Sequence, residues 1–328
     1  MPANLTPEYL AAEKKYREAK TLEEKLLALK EMWATLPKHK GTDKLQADIK
    51  RRISQIKKEI EEEKQRRKRG APSFLFPEKE GAGQVVLFGK PNSGKSSILK
   101  FLTNANPEIA PYPFTTVLPV VGMMPYEDIQ IQIVDLPPFL ISKYQWWQRE
   151  IVRNADSIMA VLDGSKDDLI DDFLELKEIL NEIKIEFSEK DEYSFEGIIK
   201  KRGFFVVNKI DTEGGGERFK ILKESFPKEV ILPFSSLTGF GLEDLKREIF
   251  KSLKIIRIYT KEPGKEPDMK DPMILEEGSS VMDAAEELHK DFAKNLKYAR
   301  VWGSSKFPGQ RVERNYILKD KDIVEFHI

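Results

Sequence analysis

Residues 85 to 97 constrain the chain more than any other stretch. Val85-Val86-Leu87-Phe88 is an apolar run that breaks into Gly89-Lys90-Pro91-Asn92-Ser93-Gly94-Lys95-Ser96-Ser97. Four consecutive apolar residues suit a strand buried in a parallel sheet. Ile98, Leu99, Phe101 and Leu102 then give the next segment an apolar helical face. The spacing G-x-x-x-x-G-K-S between strand and helix is that of a phosphate-binding loop. Gly89 and Gly94 let the backbone curl until successive N–H groups and the helix N-terminus face an anion. Lys95 then reaches the outer phosphates of a nucleotide, and the Ser96 hydroxyl is placed to ligate a magnesium ion shared with them. A surface turn could match the same letters, but it would not need a strand before it and a helix after it.

Composition removes other chemistries. There is no cysteine in the 328 residues, which excludes a disulfide framework and thiolate chemistry. His39, His289 and His327 lie far apart, which argues against a histidine metal site or a Ser-His-Asp triad. Lys plus Arg equals Asp plus Glu at 55 each, so any basic surface must be local, and no specific DNA readout is expected. No apolar run is long enough to cross a membrane, and Met1-Pro2-Ala3-Asn4-Leu5 lacks the blocks of a signal peptide. A cytoplasmic protein of two or three domains is expected.

Residues 1–72 read as a helical region. Thr6-Pro7-Glu8 opens a first helix with a cap and a proline at its first position, and Thr21 with Glu24 forms a capping box for a second. Leu26, Leu27, Leu29, Met32 and Trp33 supply an apolar face there. A third helix, from about Asp43 to Arg69, carries Leu45, Ile49, Ile53, Ile56 and Ile60 at helical spacing. That stripe must bury against something: the hairpin itself, the next domain or a protein partner. Lys64, Arg66, Arg67, Lys68 and Arg69 form a basic run suited to RNA phosphates. Glu59, Glu61, Glu62 and Glu63 precede it, which equally describes a solvated charged helix. Gly70-Ala71-Pro72 and Pro77 to Gly83 mark a linker.

Beyond the phosphate loop, Tyr112-Pro113-Phe114-Thr115-Thr116, with Gly122 further on, resembles the first switch segment of the Obg-like GTPases. The likeness is strongest to the DRG branch, the developmentally regulated GTP-binding proteins. It implies that Thr116 ligates magnesium and meets the terminal phosphate. Ile129-Gln130-Ile131-Gln132-Ile133-Val134 alternates as a half-buried strand and delivers Asp135, the implied group behind the magnesium. One departure follows. The family reads Asp-x-Pro-Gly, whereas this chain reads Asp135-Leu136-Pro137-Pro138, and proline has no N–H to offer a phosphate. Phe139 then stands where Ras-like enzymes carry a water-orienting glutamine. Asn92 matches the position that ligates potassium in related cation-activated GTPases, and it equally suits a residue that stabilises the turn.

A helical pattern runs from Ser142 to Asn154 with Trp146 and Trp147, of which one is expected in the core. Ala155 to Asp163 reads as a buried strand and Leu169 to Ile183 as an amphipathic helix. Phe204-Phe205-Val206-Val207 ends in Asn208-Lys209-Ile210-Asp211, the N-K-x-D guanine reader. Asp211 is expected to accept from the guanine N1–H and 2-amino group, with Asn208 at the base edge and Lys209 along the ring. Such a site rejects adenine by leaving buried polar groups unpaired. Ser235-Ser236-Leu237 resembles the Ser-Ala-Lys base loop, with leucine replacing lysine, and Leu242 to Leu253 closes the domain. The interval from Asp135 to Asn208, about 73 residues, leaves no room for the S5-like insert of typical DRG proteins, so the resemblance is to a compact, archaeal-type relative.

Gly278-Ser279-Ser280-Val281-Met282-Asp283, His289-Lys290-Asp291-Phe292 and Tyr298-Ala299-Arg300-Val301-Trp302-Gly303 resemble the TGS domain of the same branch. Strands are expected at Ile255 to Thr260, Lys297 to Trp302 and Ile323 to Ile328. One helix is capped by Ser280 and Asp283 and continues through Phe292. Lys290, Lys294, Lys297 and Arg300 offer a local basic surface, and His289 is expected to pack on the helix face.

The expectation is a multidomain protein. A helical region (1–72) precedes an α/β P-loop GTPase domain with a mostly parallel sheet (82–253) and a β-grasp TGS domain (255–328). The resemblance implies binding of GTP and GDP with magnesium, potassium as a candidate activator, and slow hydrolysis. It implies a role in translation through the ribosome, rRNA or tRNA. The rival is a guanine-nucleotide-binding scaffold on ribosome or RNA, with hydrolysis disabled by Pro138.

Overall fold

The computed structural model describes residues 7–18, 22–36, 45, 49–53, 56, 77–103, 108–109, 119–141, 143–188, 192–193 and 198–327. They belong to two compact units, Met1–Phe76 and Pro77–Ile328. In the first, α1 (Pro7–Glu18) and α2 (Leu22–Thr35) pack side by side. Tyr9, Ala12, Leu29, Met32 and Leu36 bury together with Ile49 and Ile56, so the apolar stripe finds partners within the unit. Leu45 is exposed instead. The expected caps Thr6 and Thr21, Ile60 and the basic run Lys64 to Arg69 lie outside the described residues.

The second unit is built on β1 (Gln84–Gly89), whose six residues are all buried. It lies inside a seven-stranded sheet of order β10-β9-β5-β1-β4-β3-β2. β4 (Ile129–Asp135), β5 (Ser157–Asp163), β9 (Gly203–Asn208) and β10 (Ile231–Pro233) continue it in parallel. β3 (Val120–Tyr126) runs antiparallel to β4, and the short edge strand β2 (Glu108–Ile109) antiparallel to β3. Val85 and Leu87 pack under α3 (Lys95–Thr103) through Ile98, Leu99 and Leu102. Burial on both faces explains why the strand reads as a continuous apolar run. The parallel order carries Gly89, Asp135, Asp163 and Asn208 to the same edge, the carboxyl ends of four strands, where ligands of open α/β sheets bind.

Several expectations change. The helix read from Ser142 begins later, as α4 (Trp146–Asn154), because Gln145 is extended and forms a capping box with Gln148. Trp147 is buried and Trp146 is 61% exposed. After α5 (Leu169–Glu182), a small sheet of order β6-β8-β7 forms from Ile185–Phe187, Ile199–Lys201 and Glu192–Tyr193, which no periodicity announced. A further helix, α6 (Gly215–Ser225), precedes β10, and α7 (Leu242–Leu253) closes the domain.

The C-terminal domain is a sheet of order β12-β11-β15-β13-β14, in which β11 (Ile255–Thr260) runs parallel to β15 (Asp322–His327) and β13 (Tyr298–Trp302) antiparallel to it. β12 (Met273–Glu276) and β14 (Gln310–Val312) are too short to show a pattern in sequence. Val281, Ala284, Ala285, Ala293 and Leu296 fill the core beneath it. Ser280 and Asp283 form the expected capping box. The single helix through Phe292 is instead two, α8 (Val281–Leu288) and α9 (Lys290–Asn295), because His289 between them is extended and exposed.

The two domains of this unit meet at the tip of the β3–β4 hairpin. Arg257 of β11, 2% exposed, donates to Glu127 (2.5 Å), Asp128 (2.6 Å) and Asp320 (2.7 and 3.1 Å). Its guanidinium lies over Phe250 of α7 (4.9 Å) and Tyr126 (5.8 Å), and the Tyr259 hydroxyl donates to Asp128. Burial alone would lower the Arg257 pKa, but hydrogen bonds to Asp320, Glu127 and Asp128 outweigh it and raise it.

Candidate guanine-nucleotide site

The loop after β1 takes its shape from contacts that exclude side chains. A Cβ on Gly89 would lie 2.6 Å from the Val161 carbonyl, and one on Gly94 would lie 2.1 Å from Asn208 Nδ2, with φ already at +91°. Lys95, at the start of α3, is 6% exposed and donates to the Gly89 and Lys90 carbonyls at 3.0 Å each. It forms no ion pair among the described residues. Burial lowers its pKa to about 8, with the nearby charge of Asp135 opposing the shift.

Ser96 donates to Asp135 Oδ2. Burial raises the Asp135 pKa, while that hydrogen bond and Lys95 oppose it. Asp135 Oδ1 is buried and has no hydrogen-bond partner. An orphaned carboxylate oxygen beside a serine hydroxyl fits a magnesium ion and its water, with Ser96 as ligand and Asp135 behind it. Thr115 and Thr116 lie outside the described residues.

Other loop members serve the scaffold. Lys90 does not face the phosphate position: its ammonium bonds Asp172 (2.6 Å) and Glu175 of α5. Asp172 also takes Lys166 (2.9 Å). Its carboxyl lies below the usual range because these lysines outweigh its burial. Ser93 is buried and donates to the Lys90 carbonyl (3.1 Å), whereas Pro91, Asn92, Ser96 and Ser97 are exposed. Asn92 adopts φ 62°, and its carbonyl accepts from Lys209 (2.8 Å).

The base-reading residues divide. Asn208 was expected at the base edge, but it is fully buried and both its amide atoms are engaged. Nδ2 donates to the Ser93 carbonyl (3.2 Å) and Oδ1 accepts from the Ser236 N–H (3.1 Å). It ties the phosphate loop to the 235–237 loop and engages the Ser236 N–H. Lys209 is braced by Asp163 (2.6 Å). Asp211 is exposed and accepts from Ser235, whose hydroxyl oxygen also accepts from the Leu237 and Thr238 N–H groups. Leu237 is 81% exposed. Phe139 is fully buried against Phe88, with ring centroids 4.6 Å apart, so its ring stands in the core.

Asp163, Asp172, Glu175 and Gln148 were missed in the sequence. A strand-end aspartate and an i, i+3 acidic pair on α5 were visible, but nothing local assigned them to the phosphate loop.

This geometry is that of a P-loop fold in which an N-K-x-D sequence at the end of β9 lies beside the phosphate loop. The chain matches the family described as 50S ribosome-binding GTPase over residues 84–201 and the TGS domain over 256–328. It is 30% identical to the uncharacterized GTP-binding protein MJ1326 of Methanocaldococcus jannaschii, with 92% of each chain covered. It is 27% identical to developmentally-regulated GTP-binding protein 2 of Homo sapiens, over 75% of this chain and 83% of that one. Among solved structures, a GTP-binding protein from Sulfolobus solfataricus in complex with GDP aligns at 19% identity. It covers 76% of this chain and 68% of that one, with a TM-score of 0.40, too loose a likeness to carry an argument. The chain belongs to the DRG family of GTP-binding proteins with a TGS domain.

Proposed function

We propose that this chain hydrolyses GTP to GDP and phosphate with magnesium, slowly when alone, and serves translation in the cytoplasm. The observation that carries the reading is the pairing of Lys95, buried with only carbonyl partners, and Asp135 Oδ1, buried with none. A nucleotide's phosphates and their magnesium would satisfy both. In this reading Lys95, Ser96 and Thr116 balance the charge that develops on the phosphates, and the protein does little covalent work. Asp211 reads guanine while Lys209 and Leu237 flank the base. Potassium bound at Asn92 takes part, an assignment supported by the exposed, left-handed position of that residue at the loop apex.

A ribosomal or RNA partner is supported by the 50S ribosome-binding description of the matched family and by the open face of the TGS sheet. There the Arg311 guanidinium lies 3.9 Å over the Tyr298 ring, which stacks on His327 (4.5 Å), with Lys297 and Arg314 close by. Layered cations and aromatic rings suit a nucleic-acid backbone and bases.

A second reading, a nucleotide-dependent scaffold with negligible hydrolysis, is favoured by Pro137 and Pro138 beside the site. Turnover of GTP by the purified protein with magnesium, in potassium and in sodium, separates the two, with Lys95→Ala as blank. Turnover above the blank and faster in potassium is expected. Tight GTP binding without turnover in either salt selects the scaffold.

A further inference from the structure

Leu136-Pro137-Pro138-Phe139 follows β4 and runs against the start of the phosphate loop. The Phe139 N–H donates to the Gly89 carbonyl (3.1 Å), the same oxygen that accepts from Lys95 (3.0 Å). None of the four residues has a polar side chain. Pro137 and Pro138 have no N–H, and that of Phe139 is taken. The segment is also held at both ends. Leu136 and Phe139 are 2% and 0% exposed, and the Phe139 ring packs against Phe88 and Tyr144. The Pro137 carbonyl accepts from Gln148 Nε2 (2.9 Å), and Gln148, itself buried, is locked by the Gln145 N–H (2.7 Å). Moving this segment toward a phosphate would forfeit the burial of an aromatic ring and two hydrogen bonds. The two prolines would deliver no donor in return.

On the reading that this site binds GTP, we propose that residues 136–139 are a fixed clamp on the phosphate loop. The clamp holds the Gly89 carbonyl, and through it Lys95, in one position whichever nucleotide is bound. Phe139 is its positioning residue. The segment takes no part in distinguishing GTP from GDP, which falls to Lys95 and the magnesium ligands that meet the terminal phosphate.

Hydrogen–deuterium exchange on the full-length protein tests this in three states: nucleotide-free, with GDP, and with a non-hydrolysable GTP analogue, all with magnesium. Peptides covering 136–145 are expected to exchange alike in all three, within about twofold, while peptides covering 89–97 gain protection from either nucleotide. A difference of about tenfold or more in 136–145 between the GDP and analogue states overturns the clamp. A phosphate loop that gains no protection from either nucleotide overturns the GTP-site reading and the clamp with it, which keeps the two failures distinct. Phe139→Ala is expected to weaken GDP and analogue binding by the same factor, about fivefold, leaving their ratio unchanged, and Phe139→Leu to restore most of the loss. A ratio shifted by more than about threefold by Phe139→Ala also overturns the proposal. Should that variant fail to fold, the exchange measurement on the unaltered protein still decides.

Discussion

Lys95 and Arg257 are both nearly sealed from solvent, at 6% and 2% exposure, yet their surroundings are opposite. Arg257 is met by the carboxylates of Glu127, Asp128 and Asp320 and lies over two aromatic rings. Lys95 has two backbone carbonyls, and the carboxylate nearest in charge, Asp135, is bonded to Ser96. Burial therefore pulls Lys95 down to about 8, whereas at Arg257 the acids outweigh it. A buried charge that the protein compensates marks a joint between domains. One that it leaves under-compensated is an arrangement that a charged ligand would complete.

The comparison breaks most readily at Lys95. Lys95→Met should weaken GDP binding by at least about 100-fold, near 2.7 kcal/mol, because several charge-assisted hydrogen bonds to phosphate are lost. Its melting midpoint should hold or rise, since an apolar chain of similar length replaces an under-compensated ammonium. Titration with a fluorescent GDP and a thermal melt check both, and a midpoint several degrees lower would remove the contrast with Arg257.

Arg257→Met should do the reverse. Breaking a buried ion pair costs about 3–5 kcal/mol, but Glu127 and Asp320 are partly exposed and can rehydrate, so about 2 kcal/mol is expected. That corresponds to a midpoint about 5 °C lower. Nucleotide affinity should stay within about twofold if the joint is structural; a larger loss would show that the β3–β4 hairpin transmits the joint to Asp135 at its other end.

The smallest effect is one of pH. Hydrogen bonds from Lys321 and then Arg257 lower the Glu127 pKa, and those from Tyr259 and Arg257 lower that of Asp128 against its burial. Carboxyls depressed in the folded state contribute stability that is complete above their unfolded values, about 4, and is lost as pH falls through the folded ones. Melting midpoints should therefore drop more steeply below about pH 4 in the unaltered protein than in Arg257→Met. Parallel acid limbs would place the acid-labile charges elsewhere.

Much of the placement of the candidate site was legible because its sequence signals are local. The glycine-framed loop between an apolar strand and an apolar helix face announced Lys95 and Ser96, and strand ends announced Asp135 and Asn208 to Asp211. Roles were less legible than positions. Lys90 sits in the phosphate loop yet turns to Asp172, 82 residues away, and Asn208 spends its amide on Ser93, 115 residues away. Phe139 occupies a position suited to a water-orienting group and is instead part of the core. The small sheet after α5 escaped notice because strands of two or three residues are too short for a period to show.

By itself the sequence determined the order of domains, the strand–loop–helix that shapes the phosphate loop, the N-K-x-D sequence at a strand end and the absence of N–H groups at Pro137 and Pro138. Each of these follows from backbone geometry and side-chain chemistry within a few neighbouring residues. Only the tertiary structure decided which charges are compensated. Arg257 meets Glu127 across 130 residues of chain, and Lys95 forms no ion pair among the described residues. Compensation depends on which groups the sheet order brings within a few ångströms and on how much water burial excludes, and neither quantity is written in any single stretch of the chain.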